Sequence, residues 1–540
     1  MPSLSAGSGI YLPDVRISAS GRPLAPTVAN RITQVSVTQR NDPPGQFSFD
    51  IYDPELELIN PVGGSLTEGT VIDIGFGYSG KSTKLITGRI TALAAEFPAD
   101  GPPLIHVDGF DLLHDLSRGT AYRVFAGSQP GSGMPDSQVV ATLARDAGLT
   151  PAVRATAPRL TPRVQNHVSD LTFARQLAAL NGFSLWIDGR TLHFGPSQPV
   201  PGPPIAMVWG RNLQSFTPRL SITGQVTAVE VRGWDPAQKQ SFSHRSVATG
   251  GAALATSGRD AIRRGSGGDS VIVIADAQVS SATEAKALAD NALSDLRNAL
   301  VTGEGSCPGL PELKVGSQLS LTGIGRFSGR YTVSEVTHTF DTGGYRTTFG
   351  VNSAPEADSE LVSGTASAER KAPGTMSAIV TVNADSQRRG QVQVRIPALD
   401  DKATHWARLT TLTAGQGRGT LFVPEVGDEV LIAFEQGDPG RPYVIGSLWN
   451  GRDTPPGEAK EAGNVRLIRS RSGHQIKLDD TAGAEKIDIV TGDGKHQLTL
   501  DSAADTLTVR SAGGLRLEAA KIELQAKGAL TLKGATVDIN

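Results

Sequence analysis

A repeated pair of aliphatic residues runs through residues 476–540 and constrains the fold more than any other feature of the sequence. The two aliphatic residues of each pair are separated by one residue, and successive pairs lie closer together toward the end of the chain. Because alternate residues of a strand share a face, each pair predicts a short strand with one apolar face. A short period of this kind indicates a repeat architecture in which no single strand is stable alone. The pairs are Ile476/Leu478, Ile487/Ile489, Leu498/Leu500, Leu507/Val509, Leu515/Leu517, Ile522/Leu524, Leu530/Leu532 and Val537/Ile539.

The interior of this repeat can hold only aliphatic side chains. Residues 465–540 contain no Phe, Tyr, Trp, Met, Cys or Pro, and mixed charges lie between the aliphatic pairs. The sequence therefore predicts a thin shaft without a ligand cavity. One chain winding round itself could close such a shaft, and so could several identical chains winding together. The repeat alone is compatible with both closures.

Glycine and proline are frequent in this chain of 540 residues, which contains 62 Gly and 33 Pro. The length predicts several domains, and the composition favours short strands joined by turns. The 51 Lys and Arg residues nearly balance the 54 Asp and Glu residues, so no preference for nucleic acid or an anionic membrane is expected. Cys307 is the single cysteine, which excludes an intrachain disulfide and a cysteine-based metal cluster. Residues 1–10 lack the regions of a signal peptide, so we expect synthesis in the cytoplasm.

Strand patterns alternate with helix signals along the rest of the chain. Phe47, Phe49 and Ile51 alternate with polar residues, as expected for a half-buried strand. A capping box formed by Ser281 and Glu284 begins a helix. The predicted helices are residues 136–147, 169–180 and 281–300. The predicted regions are a first β-barrel (1–115), an α/β region of helices and a hairpin (116–204), a second β-barrel with one helix (205–355), a linker (356–375), a small closed barrel of the OB kind (376–450), a connector (451–475) and the shaft (476–540).

Three long motifs stand out, at residues 169–194 (SDLTFARQLAALNGFSLWIDGRTLHF), 310–350 (which include GSQLSLTGIGRFSGRYTVSEVTHTF) and 422–450 (FVPEVGDEVLIAFEQGDPGRPYVIGSLWN). In this order they resemble the hub helix with its hairpin, the second hub barrel and the spike OB-fold of contractile injection machines. The resemblance is to the VgrG proteins of type VI secretion and to the hub and spike proteins of contractile phage tails. It extends over nearly the whole chain.

The resemblance implies a mainly β, multidomain fold: two hub β-barrels with a small α/β insertion, an OB-fold barrel and a C-terminal trimeric, intertwined β-helix. It implies a homotrimer whose barrels form a pseudo-six-fold collar beneath the inner tube and whose shafts form a needle. The implied partners are the tube protein, baseplate components and a possible cargo or effector, without nucleic acid. The implied action is mechanical puncture of the target membrane, with no cofactor, metal or catalytic residue. Such a spike is assembled at the baseplate end of the particle and ejected on contraction.

The end of the chain is the expected binding site for a separate tip protein. Some phage spikes close their own tip with a His-X-His metal site, but residues 501–540 contain no histidine. In VgrG-like proteins, a blunt end of this kind carries a PAAR-type tip protein. The resemblance therefore places the tip partner on Thr536, Val537, Asp538, Ile539 and Asn540.

Two other functions are compatible with parts of the sequence. A carboxylate pair in the OB region could act in glycoside hydrolysis, which would make the chain a peptidoglycan hydrolase carried on a β-helical stalk. We expect structural roles for these carboxylates, because several of them lie in turn sequences, and we predict that the chain is not an enzyme. A shaft closed by one chain would instead give a β-solenoid adhesin. The acidic residues concerned are Glu425, Asp428, Glu429, Glu435 and Asp438.

Overall fold

The computed structural model describes most of the chain and divides it into two compact units, Met1–Ser447 and Leu448–Asn540. None of the helices in the described ranges is long and apolar enough to cross a membrane. The described residues are 12–40, 43–58, 66–128, 132–157, 159, 162–196, 200–222, 225–235, 238–247, 270–275, 279, 281–352, 374–387, 389–456 and 463–538.

The first region of the first unit consists of strands joined by short turns. Phe47, Phe49 and Ile51 are buried, as their alternation predicts. Its strands are β1 (Pro13–Ala19), β2 (Arg22–Pro23), β3 (Ile32–Arg40), β4 (Gln46–Tyr52), β5 (Val71–Tyr78), β6 (Lys81–Glu96) and β7 (Leu104–Asp111), with a short helix α1 (Pro26–Ala29). They pack around one core of Ile, Val, Leu and Phe side chains, among them Val35, Val37, Phe49, Ile72 and Phe76.

The second region is the α/β region, and its helices confirm the predicted ones to within one or two residues. The Ser169 side chain accepts a hydrogen bond from the Thr172 amide and caps α3, and Gly182, with φ 67°, ends it. The region contains a 3-10 helix (Leu112–Ser117), β8 (Ala121–Phe125), α2 (Asp136–Asp146), β9 (Thr150–Val153), β10 (Arg163–Val168), α3 (Asp170–Asn181), β11 (Ser184–Asp188) and β12 (Thr191–Gly195).

The third region is again rich in strands and contains the predicted helix after Ser281. The Ser281 hydroxyl accepts from the Glu284 amide at 3.2 Å, which confirms the predicted cap. The elements are β13 (Ile205–Val208), β14 (Ser215–Leu220), β15 (Ala228–Asp235), β16 (Gln240–Val247), β17 (Val271–Ile274), α4 (Ala282–Asn298), β18 (Val301–Pro308), β19 (Gln318–Thr322), a 3-10 helix (Gly325–Phe327), β20 (Gly329–Asp341) and β21 (Gly344–Val351).

The first and third regions share one sheet of 13 strands. Its main path is β14-β18-β21-β20-β3-β4-β7-β6-β5-β1-β2, and β19 and β13 continue from β20. The two regions meet where β20 pairs with β3, with Thr337 opposite Thr38. The third region has its own core around Leu319, Leu321, Tyr331 and neighbouring side chains, and its Tyr345 is buried in the core of the first region.

The fourth region is a closed five-stranded barrel in the order β22-β23-β24-β28-β27. It confirms the predicted small barrel and the mainly β class, whereas the intertwined three-chain β-helix stays a prediction. The strands are β22 (Met376–Val382), β23 (Gln391–Arg395), β24 (Thr404–Leu409), β25 (Ala414–Gly415), β26 (Arg418–Gly419), β27 (Glu429–Phe434) and β28 (Pro442–Ser447). Of the predicted linker, residues 356–375, all but the last two residues lie outside the described ranges.

The second unit contains one antiparallel sheet in the order β29-β30-β31-β32-β33. Its strands are β29 (Val465–Arg469), β30 (Gln475–Asp479), β31 (Lys486–Val490), β32 (His496–Asp501) and β33 (Thr506–Ser511). The first four aliphatic pairs of the repeat therefore lie on strands, as predicted.

Candidate functional site

The register of the second unit aligns the aliphatic pairs of the repeat. Ile489 lies opposite Ile476 on one side and opposite Leu498 on the other. Because directly opposed residues of antiparallel strands share a face, the pairs form two continuous rows across the sheet. We call this surface the aliphatic face, and it consists of Ile468, Ile476, Leu478, Ile487, Ile489, Leu498, Leu500, Leu507 and Val509.

The aliphatic face is open to solvent in a single chain. Ile489, at the middle of the sheet, is 43% exposed, and Leu507, on the last strand, is 67% exposed. A groove of about 550 Å³ runs over the face and is lined by Ile476, Leu498, Leu515 and neighbouring residues. A strand surface with this many exposed aliphatic side chains indicates a site that another protein surface covers.

The opposite face of the same sheet is mostly polar, and its central polar side chains are bonded to one another. Asp488 is buried, and its carboxylate accepts from the Thr499 hydroxyl at 2.6 Å and from the Gln497 amide at 3.2 Å. Because these central polar groups have partners in their own chain, the aliphatic face is the side that needs a second surface.

The later aliphatic pairs differ from their prediction. Residues 512–538 contain no strand, although each pair there predicts one. Leu517 and Leu524 are more than 60% exposed. A strand is held by the ladder of a neighbouring strand, and these short repeats have no such neighbour within the described part of the second unit. The prediction of a strand at each pair is therefore wrong for the single chain.

The predicted tip residues lie at the end of this exposed segment. Thr536 and Asp538 are exposed, and Val537 is 51% exposed. Ile539 and Asn540 lie outside the described residues. The binding of a tip partner at these positions stays a prediction.

The acidic residues of the OB barrel lie at its turns. The Asp428 carboxylate accepts from the Glu425 amide at 2.8 Å, next to Gly427 with φ 101°. Asp438 is buried, accepts from the Gly440 amide at 2.8 Å and lies 3.6 Å from Arg441. Burial raises the pKa of Asp438. These contacts close turns, which is the role expected from the sequence.

Glu429 and Glu435 complete the acidic set at the ends of β27. Glu429 is the first residue of that strand, and Glu435 follows its last residue. The Glu435 carboxylate lies 3.7 Å from Arg441. Across the described ranges, no group of three or more His, Cys, Asp and Glu side chains is placed to hold a metal ion.

A buried charged network joins the α/β region to α4, and no local pattern in the sequence predicts it. Asp136 is fully buried and binds the guanidinium groups of Arg159 and Arg163, and Arg159 also binds Glu284. Burial opposes ionisation of Asp136, but the hydrogen bond from Arg159 and the charge of Arg163 hold its pKa below the usual value. Patterns of sequence spacing cannot find such a network, because its members are far apart along the chain.

Two family models match this chain. The Type VI secretion system/phage-baseplate injector OB domain matches residues 376–449, which contain the closed barrel. The Alg8 N-terminal domain matches residues 56–342, more than half of the chain.

Curated relatives match a short part of the chain. The spike protein VgrG1a of Pseudomonas aeruginosa is 30% identical over 96 residues, which are 16% of this chain and 15% of that protein. VgrG4b of the same organism is 30% identical over 129 residues, which are 21% of this chain and 16% of that protein. VgrG3 of Vibrio cholerae is 27% identical over 108 residues, or 18% of this chain and 11% of that protein. These matches therefore span less than a fifth of the length of the relatives.

Solved structures extend the likeness in fold to most of the chain. The E. coli c3393 protein, a component of the type VI secretion system, superimposes with a TM-score of 0.51 at 16% identity and covers 80% of this chain and 99% of that chain. The lidded Francisella PdpA-VgrG complex superimposes with a TM-score of 0.53 at 11% identity and covers 94% of this chain and 82% of that chain. At these identities the likeness shows the fold.

Proposed function

Because this chain belongs to the family of the Alg8 N-terminal domain and is a VgrG-like hub-and-spike protein of contractile injection systems, we propose that three copies form the central spike that caps the inner tube. The aliphatic face is the observation that carries this proposal. Three copies of one face can cover one another, and the exposed later pairs then gain neighbouring strands. Buried in this way, each aliphatic side chain stabilises the assembly by roughly 1.5–3 kcal/mol.

The shaft of this trimer acts mechanically. Strand ladders that close around a dry aliphatic interior leave no free edge and resist bending. The aliphatic composition of residues 465–540 suits such an interior, since no bulky aromatic side chain interrupts it. Contraction drives the shaft forward, and the shaft opens the target envelope by force. This action does not require the enzymatic cleavage of a covalent bond in the envelope.

A separate PAAR-type tip protein binds the end of the shaft. Thr536, Val537 and Asp538 are exposed in the single chain. In a trimer, three copies of this segment come together and present a flat end to one partner. Ile539 and Asn540 complete the proposed binding surface.

The first unit forms the hub that contacts the inner tube and the baseplate. Its sheet supplies two strand-rich regions per chain, and the OB barrel follows them in the same compact unit. The spike is therefore assembled at the baseplate end of the particle and leaves it on contraction. Cargo or effector proteins travel with the spike as partners, and the chain itself is not an enzyme.

Negative-stain electron microscopy of the purified protein tests this proposal. The expected particle has a three-fold collar from which one thin shaft projects. A variant that ends at Gly463 is the matched control, and its images should show the collar without the shaft. Images of a single-chain rod without a collar would contradict the spike and support a β-solenoid adhesin.

A further inference from the structure

One end of the aliphatic face is bordered by a row of polar side chains that contains two histidines. His474 immediately precedes β30 and His496 begins β32, and each lies two positions before a residue of the aliphatic face, so it shares that face. The ladder continues through the row, because the Thr491 amide donates to the His496 carbonyl at 3.0 Å and Ser511 is the partner of His496. We call these residues the polar row, and they are Ser470, His474, Thr491, His496 and Ser511.

The polar row and the aliphatic face line the same groove. All five side chains of the row border the groove of about 550 Å³ that runs over the aliphatic face. Both histidines are exposed in the single chain. A surface that covers the aliphatic face therefore also closes over the polar row and separates the two imidazoles from water.

The ring of His474 is held in its neutral form by a backbone amide. Its Nδ1 atom accepts a hydrogen bond from the Gly492 amide at 3.1 Å. A Cβ atom at Gly492 would clash with the Ser472 carbonyl oxygen, so the β29–β30 turn and the β31–β32 turn are in close contact here. A protonated imidazole carries hydrogen on both nitrogens and cannot accept a hydrogen bond. Protonation of His474 must therefore break the bond that joins the two turns.

The second histidine can take up a proton without losing a hydrogen bond. The Ser511 hydroxyl donates to the Gly514 carbonyl at 3.1 Å, so Nδ1 of His496 donates to the Ser511 oxygen at 3.0 Å. The Nε2 atom of His496 thus keeps its lone pair. The hydrogen bond from the Thr491 hydroxyl chiefly lowers the pKa of Asp493, and the charge of His496 adds to this shift. A protonated His496 is therefore stabilised by a carboxylate of the neighbouring turn.

The other charged groups around the row strengthen the difference between the two histidines. The turn that contains His474 carries the cation Arg471, and Arg510 lines the groove. The Nζ atom of Lys495 lies 3.5 Å from the Asp493 carboxylate, in the turn that ends at His496. The carboxylate of this set is thus near His496, whereas cations lie in the turn of His474 and along the groove.

We propose that the polar row makes the association of the shafts sensitive to acid, and that His474 is the residue that responds. This inference rests on the proposed trimer, in which other copies cover the aliphatic face. At neutral pH, His474 accepts the Gly492 hydrogen bond and adds no charge to the covered groove. In acid, its protonation removes that bond and places a charge in the covered groove of every copy, which favours separated shafts.

The direction of the effect follows from the access of water to the imidazole. An imidazole in water has a pKa of about 6.5, so a separated shaft takes up the proton as the pH falls below that value. A covered groove excludes the same proton, and acid therefore favours dissociation. At pH 5.5, the exclusion of one proton per chain changes the association equilibrium about tenfold for each chain.

Sedimentation equilibrium of the full chain at pH 7.5 and pH 5.5 tests the proposal. The protein concentration at which half of the chains are dissociated should be at least about tenfold higher at pH 5.5. In His474→Gln, this concentration should change less than about threefold, because the glutamine oxygen can accept from Gly492 but takes up no proton. His496→Gln should keep most of the pH dependence, since the protonated His496 has Asp493 beside it.

A histidine outside the shaft provides the matched control. His405 is a buried residue of the OB barrel, and burial lowers its pKa. His405→Gln removes this acid-sensitive group from the first unit and leaves the polar row unchanged. It should therefore show the same rise in the half-dissociation concentration as the wild type. Circular dichroism at both pH values shows whether each variant is folded.

A permanent charge measures the same effect without a change of pH. His474→Lys places a cation in the groove and offers no acceptor to the Gly492 amide. At pH 7.5 this variant should have a half-dissociation concentration at least about tenfold above that of the wild type. Ala482→Lys adds the same charge to the exposed β30–β31 turn, away from the polar row, and should stay within about threefold of the wild type.

The possible outcomes separate this inference from the proposed spike. An assembly of three chains with equal half-dissociation concentrations at the two pH values overturns the inference and leaves the spike intact. A pH dependence that persists in His474→Gln also overturns it, because another group is then responsible. Normal assembly of His474→Lys at pH 7.5 has the same consequence. A native mass of one chain at pH 7.5 contradicts the trimer and this inference together.

Discussion

The hydroxyl of Tyr122 and Nε2 of His405 are hydrogen-bonded at 2.9 Å, across the boundary between the α/β region and the OB barrel. The Tyr122 ring also lies against the ring of His167. Nearby, a Cβ atom at Gly440 would lie 2.7 Å from the carbonyl oxygen of Pro162, so only glycine allows this close approach. These contacts hold the OB barrel on the α/β region and make the first unit sensitive to acid.

The free energy of unfolding of the first unit should decrease as the pH is lowered, because His405 is buried in its neutral form. Burial lowers the pKa of His405 from 6.5 to about 4. Between these two pH values the unfolded chain binds a proton at His405 that the folded chain excludes. Protonation therefore favours the unfolded chain, and the folded chain loses stability as the pH falls from about 6.5 to about 4. For this residue we expect a loss of about 2 kcal/mol between pH 7.5 and pH 5. Urea unfolding at both pH values measures it.

The control for this effect is His405→Gln, which cannot take up a proton. Its free energy of unfolding should change less between the two pH values than that of the wild type. Tyr122→Phe should keep the pH dependence and lose about 1 kcal/mol at both pH values, because only the hydrogen bond is removed. An unchanged pH dependence in His405→Gln would contradict this assignment.

Asp136→Asn should strongly destabilise the first unit. The substitution removes the carboxylate that both buried arginines share and leaves Arg159 with Glu284 alone, at a cost of about 3–5 kcal/mol. Denaturant unfolding followed by circular dichroism measures the change. Asp14→Asn, which breaks an exposed pair with Arg16, should cost less than about 1 kcal/mol. Equal effects of the two substitutions would rule out a stabilising role for the buried network.

Ile489→Asp should prevent the shafts from associating. The residue lies at the centre of the aliphatic face, so in the assembly its carboxylate would be buried among aliphatic side chains. Analytical ultracentrifugation should show at least a tenfold rise in the dissociation constant. Lys495→Asp, which changes an exposed turn, serves as the control and should assemble like the wild type. Normal assembly of Ile489→Asp would mean that the aliphatic face is covered by something other than a second copy.

Removal of Thr536–Asn540 should abolish binding of a PAAR-type tip protein and leave the assembly of the spike intact. The larger deletion of Val465–Asn540 should abolish tip binding and also weaken trimerisation, because it removes the aliphatic face. Co-purification with a tagged tip protein, followed by native mass measurement, separates the two effects. Tip binding by either truncated protein would show that the tip site lies elsewhere.

The purified protein should release no sugar fragments from peptidoglycan. Asp428 and Asp438 accept hydrogen bonds from turn amides, so these carboxylates have structural roles. Chromatography of digested peptidoglycan, with lysozyme as the positive control, measures release. Release that Glu425→Gln or Asp428→Asn abolishes would replace the mechanical account by an enzymatic one.

Local signals made the helices and the OB barrel predictable from the sequence. Ser169 and Ser281 cap helices with their own side chains, and Gly427, with φ 101°, allows the turn before β27. In each case the residue that determines the structure lies within a few positions of the element. The same holds for the first aliphatic pairs of the shaft, whose strands pair with their neighbours in sequence.

Long-range relationships were not predictable. The β3–β20 junction joins Thr38 to Thr337, which are 299 residues apart in the sequence. The strands expected at Leu515 and later pairs are absent from the single chain because a strand needs a ladder partner. For these pairs, we propose that the partner is in another copy.

Native mass spectrometry of the purified protein at neutral pH measures directly how many chains the assembly contains. We predict a single species with the mass of three chains, and a larger fraction of single chains at the same protein concentration when the aliphatic face carries Ile489→Asp. A species of 56.4 kDa, the mass of one chain, at micromolar concentration would contradict it.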